Sequence, residues 1–252
     1  KFFKIRADFD YEMPRTDENI RKIAQFIKRF VDREGCMEFD VSAVCAIVEY
    51  SSRTAERQDK LSTRFNHLAE ILCEAVTWAK LEGAELVTAA HIQKTIYEKE
   101  QRMKLYEEKL DEMLEENVIM IDTEGAEIGQ INGLAVLDMG NYAFGNPSRI
   151  TATTYVGKSG IVNIEKEARL SGQTHDKGVQ IITGFLGQTY AQNFPLSLSC
   201  RVCFEQNYNG IDGDSASSTE LYCILSSLAE LPIRQDLAVT GSVNQKGEIQ
   251  AI

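Results

Sequence analysis

The sequence has no apolar run near the roughly 20 residues that a membrane-spanning helix needs. Its opening, Lys1-Phe2-Phe3-Lys4-Ile5-Arg6, has neither the long apolar stretch nor the small-residue cleavage site of a secretory signal. It also lacks an initiator methionine, so the chain reads as a piece of something longer. Basic residues are few: 27 Lys and Arg stand against 38 Asp and Glu, a net charge of −11. Affinity for nucleic acid comes mainly from clustered Lys and Arg, so the charge argues against that class of partner, which ranks last among the readings. Histidine is scarce, with only His67, His91 and His175. Cysteine is present but poorly placed for chemistry: Cys36, Cys45, Cys73, Cys200, Cys203 and Cys223 sit among apolar positions. The C-x-x-C of Cys200 and Cys203 falls on a strand-like run, where alternation sends the two sulfurs to opposite faces. Neither a zinc site nor a redox turn is expected; reduced, buried thiols of a cytoplasmic protein are.

Apolar residues make up 43% of the chain, enough for a real core. Charge divides it. Of the first 117 residues 43 are charged, against 22 of the last 135, and glycine and β-branched residues move into the second part. A domain boundary is expected there, giving 1–117 and 118–252. The first part reads as a helical bundle. One helix follows Thr16-Asp17-Glu18 with Ile20, Ile23, Ala24, Ile27, Phe30 and Val31 as its stripe, and Gly35 closes it. A second starts at Asp40 with Val41, Val44, Cys45 and Val48 inward, and a third carries Phe65, Leu68, Leu72, Val76 and Ala79. A fourth begins at Thr88 and is predicted to run to Glu116. In the second part, Val118–Ile121, Gly133–Asp138, Arg149–Val156, Gly160–Ile164, Leu198–Phe204, Leu237–Gly241 and Glu248–Ile252 read as strands. Asp176–Gln192 and Ser215–Glu230 read as helices; Gly178, Gly184 and Gly187 in the former point to close packing against a sheet. The expected fold class is α+β.

Chemistry concentrates in Asn209-Gly210-Ile211-Asp212-Gly213-Asp214-Ser215-Ala216-Ser217-Ser218. A strand enters this polar turn and a helix leaves it. A serine at such a junction sits among unpaired N–H groups at the positive end of a helix, which can serve as an oxyanion hole. Asp and Ser are also favoured helix caps, so a purely structural Ser215 is the competing reading. The base is open. His175 with Asp212 or Asp214 is conceivable, and a desolvated lysine can serve instead, with Lys158, Lys166, Lys177 and Lys246 as candidates.

Asp212-Gly213-Asp214-Ser215-Ala216-Ser217 is similar to the nucleophile motif of Lon proteases, particularly the LonB-like branch. Ile161–Ala168, Ser171–Gly178, Phe204-Glu205-Gln206 and Leu237–Gly241 resemble the same branch in the same order. The resemblance implies a Ser–Lys dyad with Ser215 as nucleophile. The lysine is expected in a Gly-Gly-x-x-x-Lys segment after the strand matching Glu248–Ile252, beyond the end of this sequence. By the same resemblance Thr240 lies near the dyad, Asp214 precedes the nucleophile in the motif, and Asp212 is a wall residue tuning access. Glu205 stands where other branches carry histidine. The helical part resembles the lid of AAA+ ATPases, with Arg64 in Leu61–Leu68 as the nucleotide-sensing arginine and Arg53 and Arg57 as weaker choices. No Gly-x-x-x-x-Gly-Lys-Ser/Thr phosphate loop is present. No cofactor is expected within this chain; ATP and Mg²⁺ are expected on an upstream module. The resemblance further implies unfolded protein substrates and a homo-oligomeric, hexameric ring, with no nucleic acid or membrane partner. The alternative is a non-catalytic assembly module in which Ser215 only caps a helix.

Overall fold

The computed structural model describes residues 4–140, 142–195 and 197–250. Two compact units divide between residues 105 and 106. The first comprises β1 (Glu12–Pro14), α1 (Asp17–Glu34), α2 (Val41–Thr54), β2 (Lys60–Ser62), α3 (Phe65–Leu81) and α4 (Ala89–Gln101). Its helix ends follow from local chemistry. Thr16 accepts from the Asn19 N–H and Asp40 from that of Ala43, while left-handed Gly35 closes α1. The Thr88 N–H donates to His91 Nδ1 at 2.9 Å, which anchors the start of α4. Ile23, Ile27, Ile47, Leu61, Leu68, Leu72 and Ile92 form the core. Each such side chain contributes about 1.5–3 kcal/mol by leaving water. The short strands pair antiparallel, with Met13 opposite Leu61.

Two expectations for this region fail. Val41 and Cys45 face outward, because α2 buries Ala43, Ile47 and Ser51, one turn apart, instead. The predicted long fourth helix stops at Gln101. Met103 and Lys104 turn back onto the carbonyls of Glu100 and Gln101, three residues behind, and the helical ladder lapses. A separate helix, α5 (Leu105–Glu115), follows and buries no residue.

The second unit adds β3 (Ala126–Glu127), β4 (Gln130–Asp138), β5 (Ala143–Val156), β6 (Gly160–Asn163), α6 (Ile164–Glu167), α7 (Gln173–Tyr190) and β7 (Leu198–Phe204). It ends with α8 (Ser217–Ala229), β8 (Ile233–Arg234), β9 (Ala238–Val239), β10 (Ser242–Val243) and β11 (Ile249–Gln250). A mixed five-stranded sheet runs β6-β7-β5-β4-β9. β4 and β7 flank β5 antiparallel, while β6 joins β7 and β9 joins β4 in parallel. Ile131, Ile150 and Val202 of the sheet, Ile182 and Leu186 of α7, and Leu221 and Ile224 of α8 close the core. The fold is α+β.

Val118–Ile121 is not a strand. The Met120 N–H donates to Gln206 Oε1 and Gln206 Nε2 donates to the Val118 carbonyl, both at 2.8 Å. One side-chain amide thus does what a neighbouring strand would. The glycines of α7 meet no sheet. A Cβ on Gly178 would lie 3.5 Å from Ser217 Cβ and 3.6 Å from Asp214 Cβ, and Gly184 faces Gln245. The thiols also divide: Cys200 and Cys223 are buried, but Cys45 and Cys73 are exposed, contrary to expectation. Burial pushes the thiols of Cys200, Cys203 and Cys223 up to about 12, so they stay protonated. No helix among the described residues is long and apolar enough to cross a membrane.

Candidate active site

The chain leaves β7 at Phe204, crosses a polar loop and enters α8 at Ser217, two residues later than the sequence suggested. Gly213, at φ +93, makes the turn that a side chain would strain. Ala216 occupies the helix cap and forms no side-chain cap bond. Ser215 is therefore not the cap. It is half-buried, and its hydroxyl has no hydrogen-bond partner among the described residues. Its carbonyl accepts from the Gly241 N–H at 2.6 Å and from Thr240 Oγ1 at 3.4 Å. The Ser218 N–H donates in turn to the Gly241 carbonyl at 3.0 Å. The segment after β9 thus grips both sides of the serine. The N–H groups of Asp214, Ser215 and Ala216 find no acceptor among the described residues, leaving three consecutive donors ahead of a helix.

Asp212 is tied down rather than free. Its Oδ1 accepts from the N–H groups of Gly213 at 2.8 Å, Thr174 at 3.1 Å and His175 at 3.2 Å. These donors, Gly213 first, hold its carboxyl below the usual range. The loop thereby caps the N-terminus of α7 from outside that helix. Gly172 makes this approach possible: a Cβ there would stand 2.2 Å from the Asp212 carboxyl carbon. Asp214, half-buried beside Gly178, has no side-chain partner among the described residues.

The other sequence candidates disperse. Glu205 accepts from Thr151 Oγ1 at 2.6 Å and takes no part in the serine turn. Lys158, Lys166, Lys177 and Lys246 are exposed, and none bonds to Ser215. Arg64 is exposed at the start of α3, its guanidinium 5.8 Å from the Tyr11 ring centre. Arg53 pairs with Glu100 and Arg57 with Asp59. His175 does not form a triad with Asp212 or Asp214. Its ring is engaged elsewhere, with Nε2 at 3.1 Å from Glu220 Oε1 and Nδ1 at 3.1 Å from Ser171 Oγ.

That ring belongs to a buried polar group that the sequence did not reveal. Glu220, in the first turn of α8, also accepts from Asn163 Nδ2 at 3.3 Å. Glu165 accepts from the Phe204 N–H at 2.7 Å, and the Phe204 ring meets the imidazole edge-on at 5.5 Å. Burial works against the charged imidazole, but the hydrogen bond and charge of Glu220, with Glu165 and Asp176, prevail and raise its pKa. Burial likewise raises the Glu220 carboxyl, with His175 pulling the other way. The one hint in sequence is an acid placed four residues before Ile224 on the inner side of α8.

Fold and site together define a two-unit α+β protein that presents a serine between a strand and a helix N-terminus. Comparison with known proteins places it further. The family model described as archaeal LonB, AAA+ ATPase LID domain, matches residues 38–102. The chain is 42% identical over 150 residues to a Lon protease homologue of Escherichia coli (strain K12), covering 59% of this chain and 25% of that protein. A Lon protease homologue of Haemophilus influenzae is 32% identical over 227 residues, 87% of this chain and 36% of its own. The archaeal Lon protease of Pyrococcus abyssi is 31% identical over 256 residues, 94% and 23% respectively. The chain thus spans between 23% and 36% of the length of these relatives. It belongs to the Lon protease family, in the LonB-like branch.

Proposed function

We propose that this chain supplies the lid and the nucleophile half of the active site of an ATP-dependent serine endopeptidase, with residues 1–117 as the lid and 118–252 as the protease domain. The observation that carries the reading is the Ser215 turn: a hydroxyl without a partner among the described residues, beside three backbone N–H groups that find no acceptor among them. Ser215 Oγ attacks the scissile carbonyl, and the oxyanion that forms is held by those N–H groups. Each such donor is commonly worth about 3–4 kcal/mol of barrier. The proton of Ser215 passes to the lysine of a Gly-Gly-x-x-x-Lys segment in a longer chain, which later returns it to the leaving amine. Thr240 fixes the Ser215 carbonyl, and Asp212 and Asp214 form the wall from which a peptide backbone is approached.

ATP and Mg²⁺ belong to the family's ATPase module, whose hydrolysis cycle drives polypeptide toward the peptidase. The fit of this chain to a nucleotide is partial. It has no phosphate loop, but the exposed Arg64 guanidinium is free to meet phosphate oxygens. The substrates are unfolded polypeptides, the assembly a hexameric ring, and the compartment the cytoplasm. Peptidase activity of this chain, beside one continuing through the expected lysine, tests the reading. Activity only in the longer chain, abolished by Ser215→Ala, is the expected result. Serine-dependent activity in both would place the base within residues 1–252 and overturn the dyad.

A further inference from the structure

His175 is buried to 1% exposure, and the peptidase chemistry above makes no use of it. Its surroundings fix its proton count. Ser171 Oγ lies 2.5 Å from Asp176 Oδ1, so the single hydroxyl proton goes to that carboxylate. The hydroxyl oxygen is then left to accept, and His175 Nδ1 must donate to it. On the other side, Glu220 Oε1 already accepts from Asn163. A bare Nε2 facing an ionised Glu220 would set two lone pairs against each other, so the pair holds a proton between them. The groups around the ring are Glu220 from α8, Glu165 from α6, Asp176 from α7 itself, and Asp212 from the loop, with Lys166 beyond Asp176.

The same residue reaches the serine turn along two paths. Through its ring it holds Glu220, and with it the first turns of α8, which begins directly after Ser215 and Ala216. Through its backbone N–H it holds Asp212, at the head of the turn. A third contact reinforces both, since α7 lies with Gly178 against Asp214 and Ser217 on either side of the nucleophile. We propose that His175 is a positioning residue for Ser215, locking the N-terminal ends of α7 and α8 together so that the serine hydroxyl and its N–H donors keep one geometry. The inference rests on the serine-peptidase reading and goes beyond it.

The test is steady-state kinetics of the full-length protein on a fluorogenic peptide, with active sites counted by titration with a serine-directed phosphonate. Ser215→Ala supplies the baseline. His175→Gln and Glu220→Gln are each expected to lower kcat per titrated site by about 10–100-fold, the scale of a small misplacement, with KM within about twofold. The double variant is expected to be no slower than the slower single variant, because the two residues act as one unit. A merely structural role would reduce the number of titratable sites and leave kcat per site unchanged; that result, or losses that multiply in the double variant, overturns the proposal. Should His175→Gln fail to fold, Asp212→Ala cuts the other end of the link at an exposed position. It is expected to lower kcat by about tenfold or more, and an unchanged kcat there also overturns it. Activity surviving in Ser215→Ala would instead remove the nucleophile reading, whatever the His175 variants do.

Discussion

The two units bury different kinds of group. Within residues 1–105 the interior is mainly apolar, with Ile23, Ile47, Leu68, Leu72 and Ile92 inaccessible; Ser51, Ser62, Thr95 and His91 are buried too, but no carboxylate is buried among the described residues. The ion pair of Lys28 with Glu38 lies on exposed surface, and that of Lys60 with Glu12 is only partly shielded. Within residues 106–252 an apolar sheet core is joined by buried Glu165, His175 and Glu220 and by the serines and threonine of α8. Two of those hydroxyls have definite tasks: Ser217 accepts from the Val243 N–H and Thr219 donates to the Val239 carbonyl. Burying an ionisable group costs far more than burying a methylene gains, unless the group is paired and hydrogen-bonded. The helical unit is organised to exclude water. The second unit is organised to hold a particular arrangement of loops, and that arrangement surrounds Ser215.

The sharpest way to break this comparison is to strand one buried charge. His175→Leu leaves Glu220 unpaired and is expected to cost about 3–5 kcal/mol in urea denaturation. Replacing Glu220 by leucine as well should recover most of that stability without restoring activity. A double variant as unstable as the single one would mean that packing, not charge pairing, governs the site. In the helical unit, Leu72→Ala should cost about 2–5 kcal/mol through the cavity it leaves. That loss should be the same in mildly acidic and mildly alkaline buffer, since neither leucine nor alanine carries a charge.

A smaller effect separates the units by pH. The His175 pKa is raised in the fold above its ordinary 6.5, so its contribution is complete below that value and is lost as pH climbs through the folded one. Melting temperature should therefore decline as pH rises above the ordinary imidazole value, and Glu220→Gln should flatten the decline. An unchanged slope in Glu220→Gln would assign it to other groups. The smallest change is expected at the surface, where the Arg102–Glu74 pair is screened by solvent. Arg102→Ala should leave the denaturation midpoint within error at physiological salt.

Sequence reasoning reached what local chemistry dictates. Thr16, Gly35 and Asp40 mark their helix ends because caps act within a few residues, and the Asp212–Ser217 run announces a strand-to-helix turn for the same reason. It failed where a distant partner decides. Val118–Ile121 carries a strand-like pattern, yet its backbone is satisfied by the side chain of Gln206. In α2, Val44 and Val48 do face the core, but Val41 and Cys45 of the same stripe turn outward, because packing centres the buried face on Ala43, Ile47 and Ser51. Glu220 looks like any surface glutamate until α7 brings His175 to it across 45 positions of sequence. The strand-to-helix turn at Ser215 was legible; the frame that holds it was not.

The central claim is that Ser215 is the reactive nucleophile of this turn. Treating the full-length protein with a fluorophosphonate and locating the adduct by peptide mass spectrometry tests it directly. The account predicts one adduct, on the peptide bearing Ser215, absent from Ser215→Ala together with peptidase activity. An adduct on another residue, with activity retained in Ser215→Ala, would contradict it.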